Sequence, residues 1–248
     1  MSIACVLVGH LPLKIELLRR PALQGKAALV VEQSGTQKLV VDRSSSAHDT
    51  VVGMSLEKAL VRCPHAALIE AATSLYREKW SSILDGLEQR SPIVEDADLG
   101  LAYVDLRGLE KLYGGEAKLV KAVVDAVPQI YCPQVGVAER KFPAYAAALQ
   151  AEPGRAARVS EDAASFLAPL PVTNLPTSWK IKERLLDFGL NVMGSIAQLP
   201  FNTMQGEFGK EGARLWRLAN GQDDELLVPR QHEETFACEV TFATPTVS

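Results

Sequence analysis

Cysteine is scarce and widely spaced in this sequence. The 248 residues include four cysteines, Cys5, Cys63, Cys132 and Cys238, and no Cys-x-x-Cys pair. Structural zinc sites and disulfide frameworks both depend on closely spaced or regularly repeated cysteines. The spacing therefore argues against both and predicts reduced thiols in a cytoplasmic protein.

Long apolar runs and an excess of positive charge are also missing. No stretch approaches the ~18 apolar residues that a membrane-spanning helix needs. The apolar start, residues 3–13, has no basic residue before it, so it is a poor signal peptide and a good buried first strand. The formal net charge of −4 argues against nucleic-acid binding through bulk charge, although a local basic surface is still allowed.

Hydrophobic periodicity predicts two regions of different character, divided near residue 160. In the first region, strands alternate with helices, which indicates a mixed sheet domain. Its predicted strands are residues 3–8, 27–31, 38–42, 67–70, 99–106 and 134–138, and its helices are 14–20, 55–63, 74–90, 116–127 and 142–149. The second region has only helices and turns, with helices at 180–188, 193–199, 201–208 and 211–219. A last strand is predicted near residues 236–245, as the start of a further domain.

Three acids crowd the entrance of the predicted strand 99–106. They are Glu95, Asp96 and Asp98. Hard cations need several oxygen ligands, so the acids could form a metal cluster for phosphoryl transfer. The alternative is a solvated loop before the strand, and this is what we expect.

Several segments, in order and spacing, resemble Y-family (translesion) DNA polymerases over roughly residues 1–228. They are PALQGKAALVV, GMSLEKALVRCP, VDLRGLEKLYGG, VGVAERKFPAYAAA, FLAPLPVTNLP, and LLDFGLNVMGSIAQLP with FGKEGARLWRLANGQD. LRGLEKLYGGE and VPRQHEETFACEVTFATP resemble the ImuB type, the polymerase-like accessory proteins of bacterial mutagenesis, in particular.

The resemblance implies an α+β fold with three polymerase-like parts. These are a palm on a mixed, ferredoxin-like sheet, small α/β fingers, and an all-helical thumb with a helix-hairpin-helix-like module. The expected domains are 1–10 with 71–160 for the palm, 11–70 for the fingers, 161–228 for the thumb, and 229–248 for a linker and the truncated start of a little-finger-like domain.

The resemblance also implies where a two-metal active site would lie. The positions that the family fills with catalytic carboxylates here hold Val8, His10, Gly100 and Leu101. Two-metal phosphoryl transfer needs cations held by carboxylates, and these residues leave Mg²⁺ little to bind. We therefore expect no metal site, no cofactor and no enzyme activity. The alternative is an active polymerase with displaced Mg²⁺ ligands drawn from the acids at 95–98.

The family's nucleotide-binding positions also differ in this sequence. Arg43 begins the loop that contacts the triphosphate, but Ser46 occupies the family's arginine position. Lys141 matches a basic family position, whereas Tyr145 replaces a second lysine. These differences predict a degraded nucleotide site.

The helical module contains the residues expected to contact DNA. A Gly-x-Gly turn would offer backbone N–H groups to phosphate, but this turn reads Pro-Thr-Ser-Trp at 176–179. The candidates for DNA contact are Thr177, Ser178, Lys180, Lys182, Arg184, Lys210 and Arg214. Weak, sequence-independent DNA binding and a purely structural helical pair both stay open.

Together these expectations describe a non-catalytic accessory protein of DNA repair, translesion synthesis and the SOS response. It would bind damaged DNA weakly in a bacterial cytoplasm, near the nucleoid. It would recruit an error-prone polymerase, a RecA-like accessory protein and the sliding clamp through regions mostly outside this chain, with no membrane partner. The alternatives are an active translesion polymerase and a protein-only interaction module.

Overall fold

The computed structural model describes residues 2–159 and 162–231. The strands in these ranges are β1 (Ile3–Leu7), β2 (Ala28–Ser34), β3 (Gln37–Arg43), β4 (Ala67–Glu70), β5 (Val94–Asp98), β6 (Leu101–Asp105), β7 (Gln134–Ala138) and β8 (Ala156–Arg158). The helices are α1 (Leu11–Arg19), α2 (Leu56–Arg62), α3 (Thr73–Glu88), α4 (Glu110–Tyr113), α5 (Glu116–Ala126), α6 (Lys141–Gln150), α7 (Ala163–Leu167), α8 (Trp179–Asp187), α9 (Met193–Ala197) and α10 (Phe201–Ala219). The predicted α+β fold is confirmed.

A five-stranded sheet carries the largest part of the core. Its strand order is β5-β6-β1-β7-β8, with β1 antiparallel to both neighbours and β8 parallel to β7. The apolar run of β1 is buried, as expected of a central strand. Alternation places Val6 and Val104 on the face that packs against α3 and α5, and Cys5 and Tyr103 on the face toward α6. Both sheet faces are therefore covered by helices.

A three-stranded sheet follows α1 in the chain. Its order is β3-β2-β4, with β2 and β3 joined by a tight hairpin and β4 parallel to β2. Gly35 has a φ of 59° in the hairpin turn, a conformation that glycine adopts without steric cost. Leu29, Val31 and Val40 pack with Ala59 of α2 in a small core of their own.

Helices α7 to α10 surround a separate apolar cluster. Leu185, Met193 and Leu215 are fully buried in it. Gly189, with a φ of 75°, follows the end of α8, as the sequence predicts for a helix C-terminus. The backbone of α10 is interrupted at Gly209, which corresponds to the two predicted helices at 201–208 and 211–219.

The region before the strand β6 differs from the expectation. The predicted solvated loop is wrong, because Val94–Asp98 forms the edge strand β5, paired antiparallel with β6 through a turn at Gly100. Acidic residues are disfavoured in strands, so the composition of this segment did not predict a strand or the hairpin that it forms with β6. The predicted strand near 236–245 lies outside the described residues, and so does position 160 itself. The division into four domains stays a prediction. No helix among the described residues is long and apolar enough to cross a membrane.

Candidate active site

A cavity of about 460 Å³ opens between the two sheets. The end of β1, the start of α1, the β5–β6 turn and α6 form its walls, together with β2 and β3. It brings together positions from distant parts of the chain that the sequence analysis singled out, and five of them are family positions of the active site or the nucleotide site. They are Val8, His10, Gly100, Leu101 and Tyr145. This cavity is the cleft between the two sheets.

Backbone contacts between the ends of β1 and β6 shape the floor of the cleft. The Val8 N–H donates to the carbonyl oxygen of Gly100 at 2.7 Å. Gly100 has a φ of 89°, and a Cβ there would lie 2.6 Å from the Val8 carbonyl oxygen. The strands therefore approach so closely that only glycine fits. The side chain of Val8 is buried, and the floor is apolar.

The three acids predicted as a possible cluster are separated in the structure. Oε1 of Glu95 lies 2.7 Å from Nζ of Lys141, and Oδ1 of Asp96 accepts a hydrogen bond from Nε1 of Trp80 at 2.8 Å. The pairing of β5 with β6 shifts register between Asp96 and Asp98, as in a β-bulge. Bulges commonly redirect a side chain next to a functional site. Of the three acids, Asp98 lines the cleft.

A histidine and an aspartate pair across the cleft wall. Nδ1 of His10 lies 2.6 Å from Oδ1 of Asp42, although the residues are 32 positions apart. The His10 side chain is 58% exposed, whereas the Asp42 side chain is only 5% exposed. The hydrogen bond with Asp42 raises the pKa of His10, while burial and the cations Arg43 and Lys14 oppose this rise. Asp42 was missed by the sequence analysis, and the one signal for it was an acid directly after the apolar residues 39–41 of a predicted strand.

Lys141 was predicted in the nucleotide site, but it points away from the cleft. Its side chain is 5% exposed, with Nζ 2.7 Å from Glu95, 3.4 Å from Glu225 and 5.0 Å from the ring centre of Tyr103. These residues border a second cavity, of about 570 Å³, beside the chain segment that follows α10. The Val228 N–H of that segment donates to Oε2 of Glu95 at 2.9 Å. Lys141 thus holds this segment against the sheet.

Arg43 and Ser46, the other two predicted nucleotide-site residues, lie near the end of β3. The Arg43 guanidinium donates to the Ala47 carbonyl oxygen at 3.3 Å, and Oγ of Ser46 donates to the Gly25 carbonyl oxygen at 3.4 Å. Both side chains are therefore turned toward the local backbone. Tyr145 does face the cleft, and burial raises the pKa of its hydroxyl, so the phenol is protonated at neutral pH.

The predicted DNA-contact residues fall into two groups by their surroundings. Thr177 and Ser178 form the turn before α8, and Lys180 and Lys210 are exposed. The other three are engaged within the helical module. Lys182 donates to the Thr173 carbonyl oxygen at 2.7 Å, Arg184 stacks on Phe208 at 4.8 Å, and Arg214 donates to the Pro176 carbonyl oxygen at 3.0 Å.

The oxygen donors of the cleft determine whether Mg²⁺ fits it. Among residues 2–159 and 162–231, no group of three or more His, Cys, Asp and Glu side chains could hold a metal ion. In polymerase-type sites, however, Mg²⁺ takes only one or two carboxylates and completes its coordination with substrate phosphates and water. Asp98 offers such a carboxylate in the cleft. The residues present therefore fit a Mg²⁺ ion that arrives with phosphate, and not one held by protein alone.

Comparisons with known proteins agree on one family. The model described as the impB/mucB/samB family matches residues 10–149. The chain is 33% identical over 194 residues to a DNA polymerase IV of Caulobacter vibrioides, covering 76% of this chain and 48% of that protein. It is 29% identical over 239 residues to a DNA polymerase IV of Dehalococcoides mccartyi, and the match covers 94% of this chain and 61% of that protein. The chain thus spans about half to three fifths of these curated relatives.

A solved structure shows the same fold. The crystal structure of DinB from Sulfolobus solfataricus superposes with a TM-score of 0.78 at 22% sequence identity, covering 92% of this chain and 69% of that one. The Y-family resemblance and the α+β fold with mixed sheets, of the type found in the palm and fingers of these polymerases, are confirmed. The closer likeness to the ImuB type is not.

These similarities correct two expectations from the sequence. The prediction that the chain is not an enzyme is wrong, because its relatives are named DNA polymerases. The prediction of no cofactor is also wrong, because Y-family polymerases use Mg²⁺. Both expectations rested on the absence of carboxylates at Val8, His10, Gly100 and Leu101, and they were preferred over the alternative in which the acids at 95–98 supply displaced ligands.

Proposed function

Since the chain belongs to the impB/mucB/samB family, we propose that it forms the polymerase-like part of a Y-family DNA polymerase acting in DNA damage bypass. The reaction would join an incoming deoxynucleotide to a primer 3′ hydroxyl and release pyrophosphate. Primer–template DNA and deoxynucleoside triphosphates would be the substrates. The observation that carries the proposal is the carboxylate of Asp98 in a cleft between the two sheets.

Different residues of the cleft would have different roles in this reaction. Asp98 would hold the cation, and Val8, Leu11 and Leu101 would exclude water from the floor. The protonated hydroxyl of Tyr145 would donate a hydrogen bond to a phosphate oxygen. Bound Mg²⁺ would supply neutralisation of the triphosphate charge. Catalysis of this type depends mainly on positioning and on charge neutralisation, and a small number of side chains is enough to provide both.

Primer extension tests this proposal. The purified protein is given Mg²⁺, deoxynucleoside triphosphates and primers annealed to undamaged or abasic templates. We expect extension by the unaltered protein and at least a tenfold loss in Asp98→Asn, because removal of a metal-binding charge weakens transition-state stabilisation by more than about 1.4 kcal/mol.

Asp96→Asn is the matched control for that experiment. Asp96 lies on the same strand but accepts a hydrogen bond from Trp80, outside the cleft. Its variant should keep the activity of the unaltered protein. No Mg²⁺-dependent extension by the unaltered protein, or equal activity in Asp98→Asn, would contradict the proposal.

DNA binding belongs to the same proposal. The turn at Thr177 and Ser178 and the exposed Lys180 and Lys210 would contact phosphates without reading sequence. A closer relation to the ImuB type, a place in the SOS response, and contacts with the sliding clamp, a second polymerase and a RecA-like protein also stay proposals. They are supported by LRGLEKLYGGE and by the closing segment of the sequence.

A further inference from the structure

We propose that His10, oriented by Asp42, binds a phosphate group of the incoming nucleoside triphosphate in the cleft. The inference rests on the proposed function for the identity of the ligand. It assigns a positively charged phosphate-binding side chain to a position where the family resemblance leads one to expect a carboxylate. The geometry of two side chains and the charges around them support it.

The hydrogen bonds of Asp42 determine which nitrogen of His10 carries the proton. Oδ2 of Asp42 accepts the Leu13 N–H at 3.0 Å, and Oδ1 accepts the Arg43 N–H at 2.8 Å. The same Oδ1 lies 2.6 Å from Nδ1 of His10. A carboxylate accepts and does not donate, so Nδ1 of His10 is the donor. Nε2 is left as the nitrogen that can meet a ligand.

The backbone at His10 is held in an uncommon conformation. His10 precedes α1 with φ 56° and ψ 40°, in the left-handed region. A non-glycine residue is strained in this region, and such residues cluster at functional sites. The bond from Leu13 to Asp42 ties the first turn of α1 to β3, and the same carboxylate holds Nδ1 of His10 at the border of the cleft. The exposed edge of the ring therefore has a defined direction.

The charges around His10 suit a nucleotide bound with a cation. The ionisable groups on the facing elements are Lys14 on α1, Glu32 on β2, Asp42 and Arg43 on β3, Tyr76 on α3, Asp98 on β5 and Tyr145 on α6. Asp98 and Glu32 favour a cation, whereas an imidazolium favours an anion. The raised pKa of His10 increases its charged fraction near neutral pH. Mg²⁺ prefers oxygen ligands, so His10 suits the phosphate and not that ion.

Nucleotide binding without chemistry tests the inference. Dissociation constants for dATP and for inorganic tripolyphosphate are measured by calorimetry with the unaltered protein, His10→Gln and Asp42→Asn, in the presence of Mg²⁺ and no DNA. A charge-assisted hydrogen bond is stronger than a neutral one, so we expect His10→Gln to bind both ligands about tenfold more weakly or worse. Asp42→Asn should also weaken the binding of both ligands, because the imidazole of His10 loses the carboxylate that orients it.

His65→Gln is the control, since His65 is exposed in a loop away from the cleft. It should bind dATP as the unaltered protein does. Equal dATP affinity in His10→Gln and the unaltered protein overturns the inference. A separate titration uses a single-stranded oligonucleotide that lacks terminal phosphates. If His10→Gln weakens binding of this oligonucleotide and leaves dATP binding unchanged, the partner of His10 is DNA and the inference is overturned. Circular dichroism checks that each variant is folded.

The outcomes for this inference and for the proposed function are separable. If dATP binding depends on His10 but primers are never extended, the polymerase proposal fails and the phosphate site stands. If primers are extended and the affinity for dATP does not depend on His10, the polymerase proposal stands and the phosphate site fails.

Discussion

Nζ of Lys141 lies 2.7 Å from Oε1 of Glu95, and this pair joins the first turn of α6 to the edge strand β5. The two side chains are 5% and 11% exposed. Glu95 also accepts the Val228 N–H, so one carboxylate ties together a helix, a strand and the segment after α10. The sequence placed these two residues in different candidate sites, whereas the structure makes them partners.

Removing one member of the Lys141–Glu95 pair should destabilise the protein strongly. Lys141→Met leaves the Glu95 carboxylate buried without its cation, and loss of one partner of a buried pair costs about 3–5 kcal/mol. Urea unfolding followed by circular dichroism measures this loss. In Lys141→Met with Glu95→Leu, the loss should be smaller than the sum of the two single losses, because no unpaired charge is left. Strictly additive losses would show that the pair does not interact.

Gly136 is expected to be the least tolerant glycine of the central sheet. A Cβ at Gly136 would clash with the backbone of Ala144 and Ala148 on α6, which packs directly over β7. Gly136→Ala should lower the free energy of unfolding by about 3 kcal/mol or more, through forced displacement of the helix. Thermal unfolding monitors the change.

Gly206→Ala is the matched control for that change. Gly206 is exposed on α10, and among the described atoms a Cβ there would have nothing within 4 Å. Because alanine favours helix more than glycine, this variant should gain up to about 1 kcal/mol of stability. Equal stability of the two variants would contradict the predicted close contact of α6 and β7.

The contribution of the His10–Asp42 pair to stability should depend on pH. The pKa of His10 is raised in the folded protein above the ordinary value of 6.5. The stabilisation is therefore fully present below about pH 6.5, and it is lost as the pH rises through the folded-state pKa. The difference in unfolding free energy between the unaltered protein and His10→Gln, measured from pH 5 to pH 9, should shrink with rising pH. If this difference in unfolding free energy grew with pH, the pKa of His10 would be lowered in the folded protein, and the prediction would be wrong.

Two neighbouring lysines of α8 should behave differently toward DNA. Lys180 is exposed, whereas Nζ of Lys182 donates to the Thr173 carbonyl oxygen and burial lowers the pKa of its ammonium. Each phosphate contact adds about 0.9 to the slope of log affinity against log salt for duplex DNA. Lys180→Met should reduce this slope by about that amount. Lys182→Met should leave the slope unchanged and lower the stability, as fluorescence anisotropy and thermal unfolding would show.

The sequence by itself determined the order and type of the main elements. The buried run of β1, the β2–β3 hairpin and the end of α8 at Gly189 follow from apolar periodicity and turn chemistry, which act over a few residues. The family motifs likewise identified the Y-family architecture, because they keep their order and spacing along the chain.

Only the tertiary structure decided what the charged residues do. The strand β5 escaped prediction because its stability comes from pairing with β6 and not from its acidic composition. The sequence gives no means to distinguish the roles of Asp98 and Glu95, whereas in the structure Asp98 follows the register shift of β5 and lines the cleft. His10 and Asp42 meet across 32 residues, and Lys141 and Glu95 across 46. Such contacts depend on how whole elements pack, which local sequence patterns do not specify.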